Sequence, residues 1–451
     1  MELIKKHNNF FKKFNPLQLL VIGYFIVTLS FALLFMLPVS SNDGKSQNFI
    51  DALFMASSGI STTGLAVVDI GSFYSLFGQI MLMLDFQIGG IGYMAFIVFM
   101  AYLLHAKLSI NNKIVASESV AGTHPGHSYN FFAKVIIFTF IFETIGAIVL
   151  FFYWLPDYSF LYALYLGFFH SITAFCTAGF CLFPDSLMSY KNSITVNFVI
   201  NIISLIGGIG FYVLDDIYTF IKKTIKQEKF KPLSVHTKLA IITTVIVIVI
   251  GIAVIFISEK WSPSIGVKER LLYSSFQAIS ASTTDGFNTI DIGAMSSTGL
   301  FMIILLMFIG ASPGSTGGGI KTTTLGVLFI STWSKLRGKK DSTLFERRIS
   351  NDVKDNAFMI FSMFIMVAII DLLVLTITEK AGFLQIFFEI ISALGNTGLS
   401  AGITANLSNA AKVLLSITMF IGRVGPLTIG LAMIKGIDPS FRYPEGDIFV
   451  G

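Results

Sequence analysis

Charge is what this sequence has least of. Only 13% of its 451 residues are Asp, Glu, Lys or Arg, where a soluble globular chain carries about a quarter. The hydrophobic class reaches 54% and the mean hydropathy is +0.77. Such a chain cannot cover itself with polar groups, which excludes a soluble protein and implies an integral membrane one. The alternating pattern of a transmembrane barrel is missing. Apolar runs near 20 residues recur instead, long enough to cross about 30 Å of hydrocarbon, so the spans are expected to be helices. Cysteine is nearly absent. Cys176 and Cys181 are too few for a disulfide scaffold and are expected to be packed, free thiols. The six histidines are scattered without metal-ligand spacing. No acid–base pair shares one membrane depth, so neither a metal centre nor a membrane enzyme is supported. The first apolar run is too long for a secretory signal and lacks a cleavage site, so it counts as a span. The net charge of +5 belongs to loops, where it sets orientation rather than marking a nucleic-acid partner.

What the chain has is one short pattern, four times over. It reads Ser58-Gly59-Ile60-Ser61-Thr62-Thr63-Gly64-Leu65, then Thr173-Ala174-Phe175-Cys176-Thr177-Ala178-Gly179-Phe180, then Ser282-Thr283-Thr284-Asp285-Gly286-Phe287, then Ser392-Ala393-Leu394-Gly395-Asn396-Thr397-Gly398-Leu399. The anchoring glycines lie 115, 107 and 112 residues apart. Second glycine clusters begin at Gly89, Gly207, Gly310 and Gly422. Two features in a shared register mark a repeat architecture.

Each round reads as a span, a half-membrane helix, a glycine turn and a second span. The expected segments are 17–38, 48–60 and 74–104; then 133–154, 161–175 and 194–219; then 239–258, 268–282 and a span from Ser297 that breaks and resumes at 322–334; then 357–377, 384–394 and 410–434. The rounds divide the chain at 1–107, 108–232, 233–350 and 351–434, with a tail at 435–451. The fold class is therefore an all-α integral membrane protein of eight transmembrane helices and four re-entrant pore helices around one central pore. Lys and Arg crowd the N-terminus, the loops 105–134, 222–238 and 335–348, and the tail, which points to cytoplasmic termini.

A short helix that enters and leaves on one side exposes backbone at membrane depth, tolerated only inside protein or beside water. Gly64, Gly179, Gly286 and Gly398 would permit the dihedrals that aim carbonyls inward, and a carbonyl ring can replace the hydration shell of a small cation. Asp51, Asp69, Asp185, Asp291 and Glu389 flank the turns, as a cation-concentrating field or as ordinary solvated carboxylates. His170 is expected to be a packed or hydrogen-bonding residue. Pro313 cannot continue a membrane helix, and Gly310-Ala311-Ser312-Pro313-Gly314-Ser315-Thr316-Gly317-Gly318-Gly319 has little side-chain bulk, so this stretch belongs in the pathway beneath the turns. Gly319-Ile320-Lys321-Thr322 faintly resembles a phosphate-binding loop, but its spacing and its place inside a span do not fit. Arg423 in an apolar span needs a partner or a wet cavity. It reads as a latch on carbonyls of 310–320, or as half of a structural ion pair. Asp85, Asp215 and Asp216 are candidate polar partners.

These motifs carry a family resemblance. Ser61-Thr62-Thr63-Gly64-Leu65, Gly286-Phe287-Asn288-Thr289, Gly314-Ser315-Thr316-Gly317-Gly318-Gly319-Ile320-Lys321-Thr322 and Gly422-Arg423-Val424-Gly425-Pro426 resemble those of the Trk/Ktr/HKT superfamily of potassium transporters, most closely the membrane subunit of bacterial Ktr-type systems. The resemblance implies four M1–P–M2 repeats and potassium held at backbone carbonyls of a selectivity filter. Its filter segments would be Thr62, Thr63, Gly64 and Leu65; Thr177, Ala178, Gly179 and Phe180; Thr284, Asp285, Gly286 and Phe287; and Asn396, Thr397, Gly398 and Leu399. It also implies an intramembrane gating loop at 310–320 and potassium uptake across the bacterial cytoplasmic membrane, with sodium as coupling or activating ion and no tightly bound cofactor. The implied partners are the lipid bilayer, a second copy of the chain and a cytoplasmic ring of nucleotide-binding regulatory subunits. The basic loops would serve as docking surfaces, and Ile448-Phe449-Val450 would lie at the dimer interface. Since no nucleotide-binding domain follows residue 435, the regulator is expected to be another chain. Asp285 departs from the small residue usual before the third glycine. It either packs behind the filter, the favoured reading because backbone lines a filter, or faces the outer vestibule. Asn396 likewise departs from threonine. The competing reading is a secondary transporter with discontinuous helices and alternating access, which inverted repeats would favour. Here all four rounds run in the same order.

Overall fold

Apolar runs bounded by serine dictate where helices begin. The structure, a computed structural model, describes residues 16–92, 128–227, 232–426 and 428–429. Its helices are α1 (Pro16–Phe35), α2 (Phe49–Ile60), α3 (Leu76–Ile91), α4 (Ser128–Trp154), α5 (Phe160–Phe175), α6 (Ile194–Gly208), α7 (Phe211–Ile225), α8 (Val235–Ser258), α9 (Val267–Thr283), α10 (Ser297–Ile309), α11 (Thr322–Leu336), α12 (Asn351–Thr378), α13 (Phe383–Leu394) and α14 (Asn409–Val424). A two-residue hairpin, β1 (Thr343–Leu344) with β2 (Arg347–Arg348), sits in the loop before α12.

The helix after each glycine turn starts on a serine whose hydroxyl accepts a backbone N–H of the first turn. The four caps are Ser75 to Gly78, Ser193 to Val196, Ser296 to Gly299 and Ser408 to Ala411, at 3.0–3.2 Å. Capping satisfies donors that the helix itself cannot. In the last two rounds a glutamate ending the preceding long helix holds the same serine: Ser296 Oγ donates to Glu259 at 2.8 Å and Ser408 Oγ to Glu379 at 2.5 Å.

Among the described residues, three helices have the length and apolar character to cross a membrane: Phe131–Trp154, Val235–Ser258 and Asn351–Thr378. The pair α6–α7 would make a fourth, but it bends by 97°. The expected continuous span 194–219 is therefore corrected to two helices. Gly210 has φ +101° there, and the neighbouring backbone is bonded elsewhere: Ser312 N–H to Gly208 O at 2.9 Å and Phe211 N–H to Gly314 O at 2.8 Å. The parts of spans 74–104 and 410–434 beyond residues 92 and 429, most of the connector 105–134, Lys229 and Lys231, the N-terminal lysines and the tail lie outside the described residues. The large apolar side chains of α8 that point outward, such as Val245, Ile246, Val249 and Ile257, are exposed, as a face toward hydrocarbon requires.

Packing closes the molecule into a ring. Each post-turn helix packs on the short helix of the next round: α3 on α5, α6 on α9, α10 on α13, and α14 back on α2. Two apolar clusters fill the halves, and they interlock. Phe54 and Leu65 of the first round join the second cluster, while Phe276 and Phe287 of the third join the first.

Candidate functional site

The four glycine turns have the same backbone. Thr62, Thr177, Thr284 and Asn396, each two residues before its glycine, are left-handed with φ +52°, +49°, +58° and +51°. Gly64, Gly179, Gly286 and Gly398 follow at φ +91°, +63°, +91° and +85°. A non-glycine residue rarely holds such a conformation unless its surroundings impose it. The residue between is tied back to the short helix in every case: Thr63 N–H to Ser58 O, Ala178 to Thr173, Asp285 to Ser280 and Thr397 to Ser392, at 2.8–2.9 Å. Among the described residues no hydrogen bond reaches the carbonyl oxygens of Thr62, Gly64, Thr177, Gly179, Thr284, Gly286, Asn396 or Gly398. Buried backbone acceptors are rarely left so.

The turns meet. A methyl group added to each glycine would strike a carbonyl oxygen of the next turn, Gly64 on Ala178, Gly179 on Asp285, Gly286 on Thr397, and Gly398 on Thr63. These four contacts run once around a ring and close it. On one side of the ring lies a cavity of about 310 Å³, walled by the four glycines, with Asp69 and Ser400 on its rim.

On the other side lies the stretch 310–321. The left-handed residues touch it from all four turns. Thr62 Oγ1 donates to Thr316 O at 3.1 Å, Thr177 Oγ1 lies 3.2 Å from Thr316 Oγ1, and Thr284 Oγ1 accepts Gly318 N–H at 2.9 Å. Gly318 has no room for a methyl group because the Asn396 side chain is there. Thr316 also donates to Phe175 O at 3.0 Å. Arg423 donates from Nη1 to Thr316 O and from Nη2 to Gly89 O, so one guanidinium joins α14, the stretch and α3. Lys321 Nζ adds bonds to Gly317 O at 2.6 Å and Gly318 O at 3.1 Å. Both cations line a second cavity of about 290 Å³ that also reaches Tyr24, Gly92 and Phe211.

The sequence-expected residues thus divide. All sixteen turn residues lie in the four turns, and Gly310, Ser312, Pro313, Gly314, Ser315, Thr316, Gly317, Gly318 and Gly319 form the stretch beneath them. Arg423 bonds a carbonyl of that stretch; an ion pair is not its partner among the described residues. Asp215 pairs instead with Lys134 at 2.6 Å, Asp216 accepts from Ser234 N–H and Thr237 Oγ1, and Asp85 is buried beside Gly59. Asp285 is fully buried behind its turn, next to Ser204, and does not line the ring-side cavity.

Of the five flanking carboxylates, only Asp69 borders that cavity. Asp51 pairs with Lys412 at 2.7 Å, tying α2 to α14. Asp185 accepts from Ser189 and Asp291 from Gly293 N–H. Glu389 is buried. Sequence position put them near the turns, and each has a partner; Asp69, which accepts from Ser72 Oγ at 2.5 Å, is the one that also borders the cavity. Cys176 and Cys181 are free and buried. His170 is packed against Trp154 and Phe183.

The second glycines are not equivalent. Gly89, Gly207 and Gly422 let their helices touch the last carbonyls of their own short helices, at Ile60, Phe175 and Leu394. Gly310 instead abuts Gly318 and Gly319. The sequence alone does not single out the paired serine and glutamate caps, and it puts Lys321 near the cytoplasmic mouth, without its bonds to Gly317 and Gly318. Superposing the four rounds on their second glycines, Gly89, Gly207, Gly310 and Gly422, would have exposed the serines 14 residues before each, at 75, 193, 296 and 408.

A family model described as TrkH, a cation transport protein, matches residues 5–442. Ktr system potassium uptake protein B of Bacillus subtilis (strain 168) is 38% identical over 443 residues, 97% of either chain. Potassium/sodium uptake protein NtpJ of Enterococcus hirae is 30% identical over 462 residues, 100% of either chain. Among solved structures, the potassium transporter TrkH of Vibrio parahaemolyticus superposes with a TM-score of 0.72 at 18% identity, over 93% of this chain and 84% of that one, which is a likeness of fold.

Proposed function

The chain belongs to the TrkH cation-transport family, and from that premise we propose that the four glycine turns are a selectivity filter for potassium uptake. It is an all-α, multi-pass protein of the cytoplasmic membrane, and a transporter rather than an enzyme. The observation that carries the filter reading is the closed ring of four left-handed turns with unpaired main-chain oxygens. Oxygens in that state can take the place of a cation's water. The filter segments are 62–65, 177–180, 284–287 and 396–399, and the cargo binds at backbone oxygens. The names of the similar Bacillus and Enterococcus proteins, potassium uptake and potassium/sodium uptake, support potassium as cargo and sodium as a second ion.

The architecture in this reading is four rounds, 1–107, 108–232, 233–350 and 351–434, giving eight spans with both termini cytoplasmic. The stretch 310–320 is the gate. Its support is that all four turns touch it and that Arg423 fastens it to two neighbouring helices. The chain works as a homodimer regulated by a cytoplasmic nucleotide-binding ring, a reading supported by the family alone.

The test is potassium uptake into proteoliposomes, with sodium as competitor, for the wild type and for Gly64→Ser and Gly286→Ala. Both glycines have φ +91° and neither has room for a side chain. Altered potassium affinity or sodium competition is expected in each. Wild-type behaviour in both variants overturns the filter assignment.

A further inference from the structure

Superposing the rounds on their glycines brings a second set of residues into register, nine positions upstream, on the short helices. They are Met55, His170, Gln277 and Glu389, all fully buried. Three of the four do one job. Each accepts the backbone N–H of the residue three places after the glycine, where the chain leaves the turn. Gln277 Oε1 accepts from Thr289 N at 2.9 Å. Glu389 Oε1 accepts from Ala401 N at 3.1 Å. His170 Nε2 accepts from Leu182 N at 3.4 Å and shares its lone pair with the Cys181 thiol at 3.3 Å. The histidine is set for this role, because its Nδ1 lies 2.9 Å from Leu166 O. A carbonyl can only accept, so Nδ1 carries the proton and Nε2 keeps its lone pair. Three side chains of different chemistry share nothing except an acceptor at this reach, so it is the acceptor that the position requires.

Glu389 goes further. Its second oxygen accepts from Thr404 Oγ1 at 2.9 Å, and Oε1 also takes Ser400 Oγ at 2.5 Å. Met55 breaks the set, since a thioether is at best a weak acceptor. Among the described residues no hydrogen bond is found on the N–H of Val67, the matching position of the first round. The departing limb of the first turn therefore lacks the support that the other three have.

We infer that the buried residue nine positions before each filter glycine is a positioning residue, a strut from pore helix to outer limb that fixes the carbonyl ring at the size of its cation, and that Met55 leaves the first turn as the compliant quarter of that ring. The inference rests on the filter reading above. Every turn is held from its own helix lower down, by the bond from the residue before the glycine and by a helix serine or threonine hydroxyl bonded at the glycine or the residue after it. The strut, present in three of the four, is the outermost hold. Removing the strut frees the limb beyond the glycine while the lower bonds stay, which loosens the oxygens without unfolding the turn.

The experiment measures potassium uptake into proteoliposomes, separating the half-saturation concentration from the maximal rate per reconstituted protein. Gln277→Leu keeps the size and removes the acceptor, Gln277→Glu keeps the acceptor, and Met55→Gln supplies the one the first round lacks. Gln277→Leu is expected to raise the half-saturation concentration about fivefold, the factor that one hydrogen bond of ordinary strength represents. Gln277→Glu should stay within about twofold of the wild type, and Met55→Gln should lower the half-saturation concentration by about twofold or more, a fraction of one such bond. A loss of correctly folded protein would lower the maximal rate alone. Unchanged half-saturation in Gln277→Leu overturns the strut. If that variant does not fold, Met55→Gln decides, and an unchanged value there overturns it equally. Gly286→Ala separates the two readings. If Gly286→Ala changes affinity and the strut variants do not, the strut alone fails. If none of them changes it, the filter reading fails first.

Discussion

Arg423→Ala should open the pathway, and the structure sets the scale. The guanidinium makes two bonds, but only the one to Thr316 O holds the 310–321 stretch; the other ends on Gly89 in α3. A hydrogen bond from a charged donor contributes about 1.5–3 kcal/mol. Thr316 O keeps a second donor in Thr62 Oγ1, so no acceptor is orphaned and the loss sits near 2 kcal/mol. That shifts a closed-to-open equilibrium about thirtyfold. Rubidium or potassium influx into proteoliposomes should rise by that factor if the closed state dominates, and level off sooner if it does not. Arg423→Lys should fall between, because a single ammonium does not reproduce the two-pronged fork that spans both carbonyls. Folded, monodisperse Arg423→Ala protein with reduced influx would refute the reasoning, and would mean that the arginine holds the pathway together rather than shut.

Two further outcomes follow from the same geometry. Deleting 314–318 removes Thr316 and Gly318, through which three of the four turns are hydrogen-bonded to the stretch, so influx should rise at least as far as in Arg423→Ala; a blocked protein would identify the stretch as a support for the turns. Ser408→Ala removes the cap on α14 and the hydroxyl bond to Glu379 together, leaving the backbone N–H on that carboxylate, and should cost about 1–2 kcal/mol, read as a lower melting temperature in detergent with potassium affinity unchanged.

Much of this arrangement was legible, for identifiable reasons. The glycines at 64, 179, 286 and 398 stand in register because the same dihedral recurs at each, and only glycine adopts φ near +90° at little cost. Pro313 announced its break by lacking a donor. The break between α6 and α7 was hidden, because the apolar run continues past Gly210 as far as Leu214. The helix yields there to backbone bonds with Ser312 and Gly314, about a hundred residues downstream, and local preference cannot anticipate such partners. The left-handed threonines were invisible for the opposite reason. Threonine disfavours that conformation, and the surroundings override the preference at Thr62, Thr177 and Thr284. Glu389 and Asp51 were misplaced because a sequence gives a carboxylate's neighbourhood but not the helix face that turns it inward.

The departures from fourfold symmetry are as informative as the symmetry. Three of the second glycines bring a helix against its own short helix, and the fourth, Gly310, does not. That difference releases the chain after α10 from its own quarter and lets 311–321 run across the axis of the ring. Once there, it meets a hydroxyl or amide side chain from every turn. In the gating reading proposed above, one segment then obstructs a pathway built by four, with no need for four elements to move together. The cost is backbone without helical partners at membrane depth, and Thr62, Thr284, Gly207 and Gly208 meet part of it. The same threonines therefore serve two masters. Their main chain shapes the ring, and their side chains hold what lies beneath it, so a change in the lower stretch reaches the ring through one hydrogen bond and the threonine's own covalent bonds.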